Sequence, residues 1–156
     1  MHTISKSETV PYSAREMFDL VADVDRYKEF LPWCTDSRIL RREKHNIVVA
    51  EIQLGYGLMH ATFATRNTHR SNRAIEMELV EGPFKFLEGG WQFDVMPGGG
   101  SRMSLDLRFE FSHPHLEAPF NAVFEVAVEA LVKAFKGRAE ELYGRQGPRY
   151  GVSGKG

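Results

Sequence analysis

The chain has 156 residues, 42% hydrophobic and 26% charged, and twenty basic against twenty-one acidic side chains give a formal net charge of −1. At this length one core buries roughly 70% of the unfolded chain's surface. The composition excludes wholesale disorder, and the balanced charge excludes a global field that would hold DNA or another polyanion, so any such contact must be local. The lone cysteine, Cys34, excludes an internal disulfide and a cysteine-built zinc site and points to a reducing compartment.

The opening MHTISKSETVPYSAREMF has neither the charged-then-apolar layout of a secretory signal nor the Arg-rich, acid-poor character of a transit peptide. No run reaches the ~18 to 20 apolar residues that span a bilayer. A cytoplasmic location is expected, with at most a transient peripheral contact at the inner face of a membrane. Thr3 to Val10 alternates as a first strand, and Pro11 ends it near Tyr12. Ser13 with Glu16 three residues on is a capping box, and Met17, Phe18, Leu20 and Val21 supply the apolar face of a helix that runs to about Ala22. Asp23 and Asp25 turn the chain into a second short helical piece over Tyr27 to Trp33, stopped by Pro32.

The period then changes. Ile47 to Leu54, Leu58 to Asn67, Ala74 to Leu79, Phe84 to Val95 and Arg102 to Phe111 mostly alternate apolar with polar, as strands with one wet and one greasy face do. Hairpin turns fall at Arg42 to His45, His69 to Asn72 and the glycine-rich Pro97 to Ser101, which makes five or six strands after the first. Pro114 ends the last strand, and Pro119 can open a helix without losing a hydrogen bond. On that helix, Pro119 to Tyr143, Glu125, Glu129, Lys133, Lys136 and Glu140 share an outer stripe. Phe120, Phe124, Ala127, Leu131, Phe135 and Leu142 share the inner one, flanked by Val123 and Ala134. Residues 1–144 read as a single domain, and the glycine-rich 145–156 as a flexible tail.

One strand, two short helices, a run of antiparallel strands and a long terminal helix make an α+β order. A bent sheet around one helix leaves a space that large side chains must fill or a ligand must occupy. Phe63, Trp91, Phe93, Phe109 and Phe111 have the inward parity. Taken singly, such aromatics read as core before ligand contact.

Three segments say more. VADVDRYKEFLPWC from Val21 to Cys34, GPFKFLEGGWQF from Gly82 to Phe93 and VKAFKGRAEELYG from Val132 to Gly144 resemble the signature stretches of the coenzyme Q-binding START-like family, often labelled polyketide cyclase-like. The resemblance covers about Ser5 to Gly144. It implies a helix-grip fold, a curved antiparallel sheet wrapped around the C-terminal helix, with a hydrophobic tunnel between them. The family also includes bacterial ribosome-association toxins.

With a tunnel implied, the residues at its mouth and walls acquire roles. Tyr27, Phe30, Leu31 and Trp33 suit a lid, with Pro32 stiffening the turn that presents them. Gly82 and Pro83 bend the chain so that Phe84 and Phe86 point toward the helix. Phe63, Trp91, Phe93 and Phe109 supply the sheet side, Phe18 comes from the first helix, and Phe120, Phe124, Leu131 and Phe135 supply the C-terminal helix side. An isoprenoid quinone needs such aromatics and one or two hydrogen bonds at its head, for which Tyr27, Trp33 and Trp91 are candidate donors.

Candidates for chemistry are weaker. His60 and Thr62 lie on the face opposite Met59, Ala61 and Phe63, the wet one. His113 and His115 straddle Pro114 without a third ligand, and Cys34 has no nearby histidine to activate it. No metal, required cofactor or catalytic residue is expected. Arg138 falls on the apolar side of the helix, to snorkel outward to an acid or to meet a ligand's polar group; Gly137 beside it hints at a bend or close approach. Arg38, Arg41, Arg42 and Lys44 gather near one turn and Arg66, Arg70 and Arg73 near another, a local positive patch if the two adjoin. The leading expectation is non-enzymatic binding of ubiquinone or another lipid in support of respiration. The alternative is a toxin that binds the large ribosomal subunit and blocks subunit association, and an aromatase or cyclase ranks third.

Overall fold

The structure, a computed structural model, describes residues 1–144, without the side chains of Tyr56, Met59, Val123 and Phe124; the tail expected over 145–156 lies outside the described residues. The elements are β1 (His2–Val10), α1 (Ala14–Ala22), a 3-10 turn (Val24–Arg26), α2 (Tyr27–Phe30), β2 (Cys34–Glu43), β3 (Ile47–Tyr56), β4 (Met59–Arg70), β5 (Ala74–Glu81), β6 (Phe84–Val95), β7 (Ser101–Phe111) and α3 (Pro114–Tyr143). Among the described residues, seven strands form one antiparallel sheet in the order β1-β7-β6-β5-β4-β3-β2. Strands β2 to β7 follow one another as hairpins, and β1 closes beside β7 from His2↔Phe109 to Val10↔Ser101. This is the expected α+β helix-grip arrangement.

Local chemistry accounts for the elements and for the departures. The Ser13 hydroxyl accepts from the Glu16 amide at 3.0 Å and Glu16 Oε1 from the Ser13 amide at 2.9 Å, a complete capping box that starts α1. The second helix is shorter than the sequence suggests. It stops at Phe30, and Trp33, at φ +64°, swings the chain into β2. That strand was not delimited by pattern because register shifts at Cys34/Asp36 and Ile39/Arg41 interrupt its alternation. His45 and Asn46, both left-handed, turn β2 into β3. In β6 a Cβ on Gly89, at φ +142°, would fall 2.1 Å from the Asp106 carbonyl oxygen, so glycine is required where β6 passes this part of β7.

Helix α3 begins at Pro114, not Pro119. Pro114 takes the first helical position, where its missing N–H costs nothing, and Pro119 lies inside the helix. The outer stripe is as expected: Glu125, Glu129, Lys133, Lys136 and Glu140 are exposed. Leu116, Val128, Phe135 and Ala139 are buried against the sheet, with Phe120 and Leu131 partly so. Leu142 is corrected to the outside, 53% exposed. In the last turn it is Tyr143 that packs inward, its ring 5.8 Å from Tyr12 and its hydroxyl donating to the Glu16 carbonyl at 2.9 Å. Gly137 is corrected too: a Cβ there would meet nothing within 4 Å, so no close approach requires it.

Candidate functional site

Between the concave face of the sheet, α2 and α3 lies a cavity of about 220 Å³. Val24, Tyr27 and Leu31 roof one side, and Leu131 and Phe135 come from α3. The sheet wall is greasy. Phe63 and Phe84 meet edge to face at 5.2 Å, and Phe84 stacks on Phe111 at 4.9 Å. Gly82, at φ +148°, lets this corner close, since a Cβ there would lie 2.5 Å from the Phe63 Cβ.

The residues expected at a site divide in two. Tyr27, Leu31, Phe63, Phe84, Trp91 and Phe109 line the cavity, as do Leu131 and Phe135. Phe86 does not. Phe84 pairs with Phe111 but Phe86 pairs with Glu110, so a bulge at Lys85 reverses the parity and Leu87 takes the inward place. Phe18 and Phe93 are buried but pack on each other at 5.9 Å under α1, away from the cavity. Phe30 lies against Phe135 at 5.4 Å, behind the lining. Phe120 is set among His2, Phe109 and Phe111, and Trp33 lies outside the wall, its carbonyl accepting from the Gly55 amide at 2.8 Å. The side chain of Phe124 lies outside the described residues.

Several wall residues were missed. Ile52 and Leu54 on β3, Met77 on β5, and Leu105 and Leu107 on β7 share the inward parity of neighbours that were named, and that parity was the available signal. Two polar residues also face in, Thr65 and Asn67 on β4, each 5% exposed. The Thr65 hydroxyl donates to Asn67 Oδ1 at 2.7 Å. Tyr27, a candidate head-group donor, instead gives its hydroxyl hydrogen to the Val21 carbonyl, and burial holds its phenol far above the ordinary range.

The remaining polar candidates resolve simply. His60 and Thr62 are exposed, and His113 and His115 stack on each other at 5.2 Å on the surface. Among the described residues no group of three or more His, Cys, Asp or Glu could hold a metal. Cys34 is buried, its thiol against the Asp36 carbonyl, and burial pushes its pKa up. Arg138 takes the outward route, with Nη2 donating to Glu29 Oε1 at 2.6 Å, Nη1 to Glu141 at 3.3 Å, and the guanidinium 5.1 Å from the Phe30 ring centre. It thereby ties α2 to α3 over the cavity. The Arg138 hydrogen bond is the main reason the Glu29 carboxyl titrates below its usual range.

The two basic turns do adjoin: the His69 amide donates to the Asn46 carbonyl at 2.8 Å, and Ile47 pairs with Thr68. Their charge is partly spent. Arg38 pairs with Glu51, Arg41 and Arg66 with Glu43, and Arg70 with Glu76. Arg42, Lys44 and Arg73 make no ion pair among the described residues. Among those residues no helix is long and apolar enough to cross a membrane.

Known proteins place this architecture. The chain is 41% identical over 141 residues to the ribosome association toxin RatA of Pseudomonas aeruginosa, covering 90% of this chain and 97% of that protein. It is 32% identical to a mitochondrial coenzyme Q-binding protein homologue of Xenopus laevis, covering 91% of this chain and 59% of the other. The solution structure of an 18 kDa protein from Caulobacter crescentus superposes with a TM-score of 0.74 at 34% identity, over 93% of this chain and all of that one. Residues 10–136 match the family described as polyketide cyclase / dehydrase and lipid transport, and the chain belongs to that family.

Proposed function

We propose that this protein acts on ribosome association, binding the large ribosomal subunit and hindering its pairing with the small one. The observation that carries this reading is the 41% identity, across nearly the whole of both chains, to a protein named a ribosome association toxin. The adjoining turns with Arg42, Lys44 and Arg73 support it, because three cations without acidic partners form a local surface for RNA phosphates on a chain whose overall charge is near neutral. The test is co-sedimentation with purified large subunits through a sucrose cushion. Protein in the pellet is expected, and protein left wholly in the supernatant would overturn the reading.

A second reading, retention of a hydrophobic ligand, is favoured by the cavity and by the coenzyme Q-binding relative. Scaled from roughly 150 Å³ for a benzene-sized guest, this cavity holds about nine non-hydrogen atoms. A ubiquinone would therefore seat only part of itself there, whereas a small apolar molecule fits whole. Organic extraction of the purified protein followed by mass spectrometry checks this: a co-purifying apolar compound is expected, and an extract matching the buffer blank argues against retention. The respiratory role anticipated from resemblance rests on the same ligand and stands or falls with it.

A further inference from the structure

We infer that Thr65 and Asn67 form a recognition point inside the cavity for one carbonyl-type oxygen on an otherwise apolar ligand. The inference rests on the reading of the cavity as a ligand site and names what that site selects.

Two residues apart on β4, Thr65 and Asn67 project to the same concave side as Phe63. The Thr65 hydroxyl occupies Asn67 Oδ1, which leaves the Asn67 amide nitrogen with two N–H donors to place. Among the described residues nothing accepts from it, although the residue is 95% buried. The register explains why. Asn67 sits between Val48 and Met77 on the flanking strands, and Thr65 between Ala50 and Leu79, so no side chain across the sheet offers an acceptor. Buried polar groups are overwhelmingly hydrogen-bonded, and replacing such a pair by apolar side chains of the same shape can be nearly neutral for stability. A buried amide held by one partner and aimed into an apolar cavity is the arrangement by which ligand sites fix orientation with few polar atoms. The donors call for an acceptor on the guest: a ketone, quinone or ester oxygen.

The test compares acetophenone with α-methylstyrene, which has the same shape and size with CH2 in place of the carbonyl oxygen. Both have about the nine non-hydrogen atoms that the cavity admits. Binding is measured calorimetrically with the full chain and with Thr65→Val/Asn67→Leu. The preference for ketone over alkene is expected to fall about threefold to tenfold in the double variant, the worth of one hydrogen bond. An unchanged preference, with both probes still bound, would overturn the recognition point and leave the cavity as a ligand site. Binding of neither probe to the natural protein would overturn the site and the inference together. A measurement that needs no variant is the infrared carbonyl stretch of bound acetophenone. It is expected below its frequency in hexane, and a hexane-like frequency would refute the hydrogen bond.

Discussion

Truncating Phe135 tests whether α3 truly clamps the sheet and the short helix together. The side chain is 1% exposed and sits edge to face against Tyr27, Phe30 and Trp91, with ring centres 5.5, 5.4 and 5.0 Å away. Removing a buried phenylalanine costs about 3 to 5 kcal/mol, a total that already contains the loss of its aromatic pairs, each worth about 0.5 to 1.5 kcal/mol. With three such pairs removed, and with the void opening into a cavity that its neighbours do not fill, Phe135→Ala is expected near about 4 kcal/mol. For a chain of this size that lowers the melting temperature by about 8 to 16 °C. Urea unfolding of natural and variant proteins, followed by tryptophan fluorescence and circular dichroism, gives the difference directly. Phe135→Leu, which keeps most of the volume, should lose less than half as much. A loss below about 1 kcal/mol for Phe135→Ala would show that the helix does not bear on α2 and Trp91 as described.

Gly137→Ala is expected to raise stability by about 0.5 to 1 kcal/mol, read as a higher urea midpoint, because the position is helical and a Cβ meets nothing there. Glu117 lies at the start of α3. Burial pushes its carboxyl up, but the Phe111 amide and His2 together pull it below the ordinary value of 4.5. A carboxyl depressed by folding contributes stability that is complete above its unfolded pKa and is lost as the pH falls through its folded one. Glu117→Gln should therefore be less stable than the natural protein at neutral pH and lose less on acidification below pH 4.5, as melting temperatures across that range will show. Reversing Arg42, Lys44 and Arg73 to glutamate should weaken large-subunit binding and flatten its logarithmic salt dependence by about 0.7 to 0.9 for each phosphate no longer neutralised, leaving uptake of acetophenone unchanged.

What the sequence disclosed follows from where its signals are local. The capping box of Ser13 and Glu16 and the outer stripe of α3 depend on residues a few positions apart and are found as read, and the three hairpin turns fall within two residues of where they were placed. The misplacements come from features that a pattern of alternation cannot carry. A single bulge at Lys85 moved Phe86 outward and Leu87 inward, although the residues themselves are equally apolar. Two irregular pairings in β2 hid a whole strand. Proline at 119 is a poorer helix start than proline at 114, but choosing between them requires knowing where β7 ends. The cavity wall was legible for the aromatics, which advertise themselves. Thr65 and Asn67 were passed over because polar residues on the inward parity of a strand look like a break in the pattern until their neighbours Val48, Ala50, Met77 and Leu79 are seen around them.

The proposed function, drawn from the identity to a ribosome association toxin and from the neighbouring cationic turns, requires one physical event, contact with a large ribosomal subunit that prevents joining. Purified small and large subunits, mixed with magnesium and resolved on a sucrose gradient with and without the protein, measure that event most directly. The joined-ribosome peak is expected to fall as protein is added, with the protein migrating with the large subunit. A joined peak of undiminished height, with the protein remaining at the top of the gradient, would contradict the proposed function.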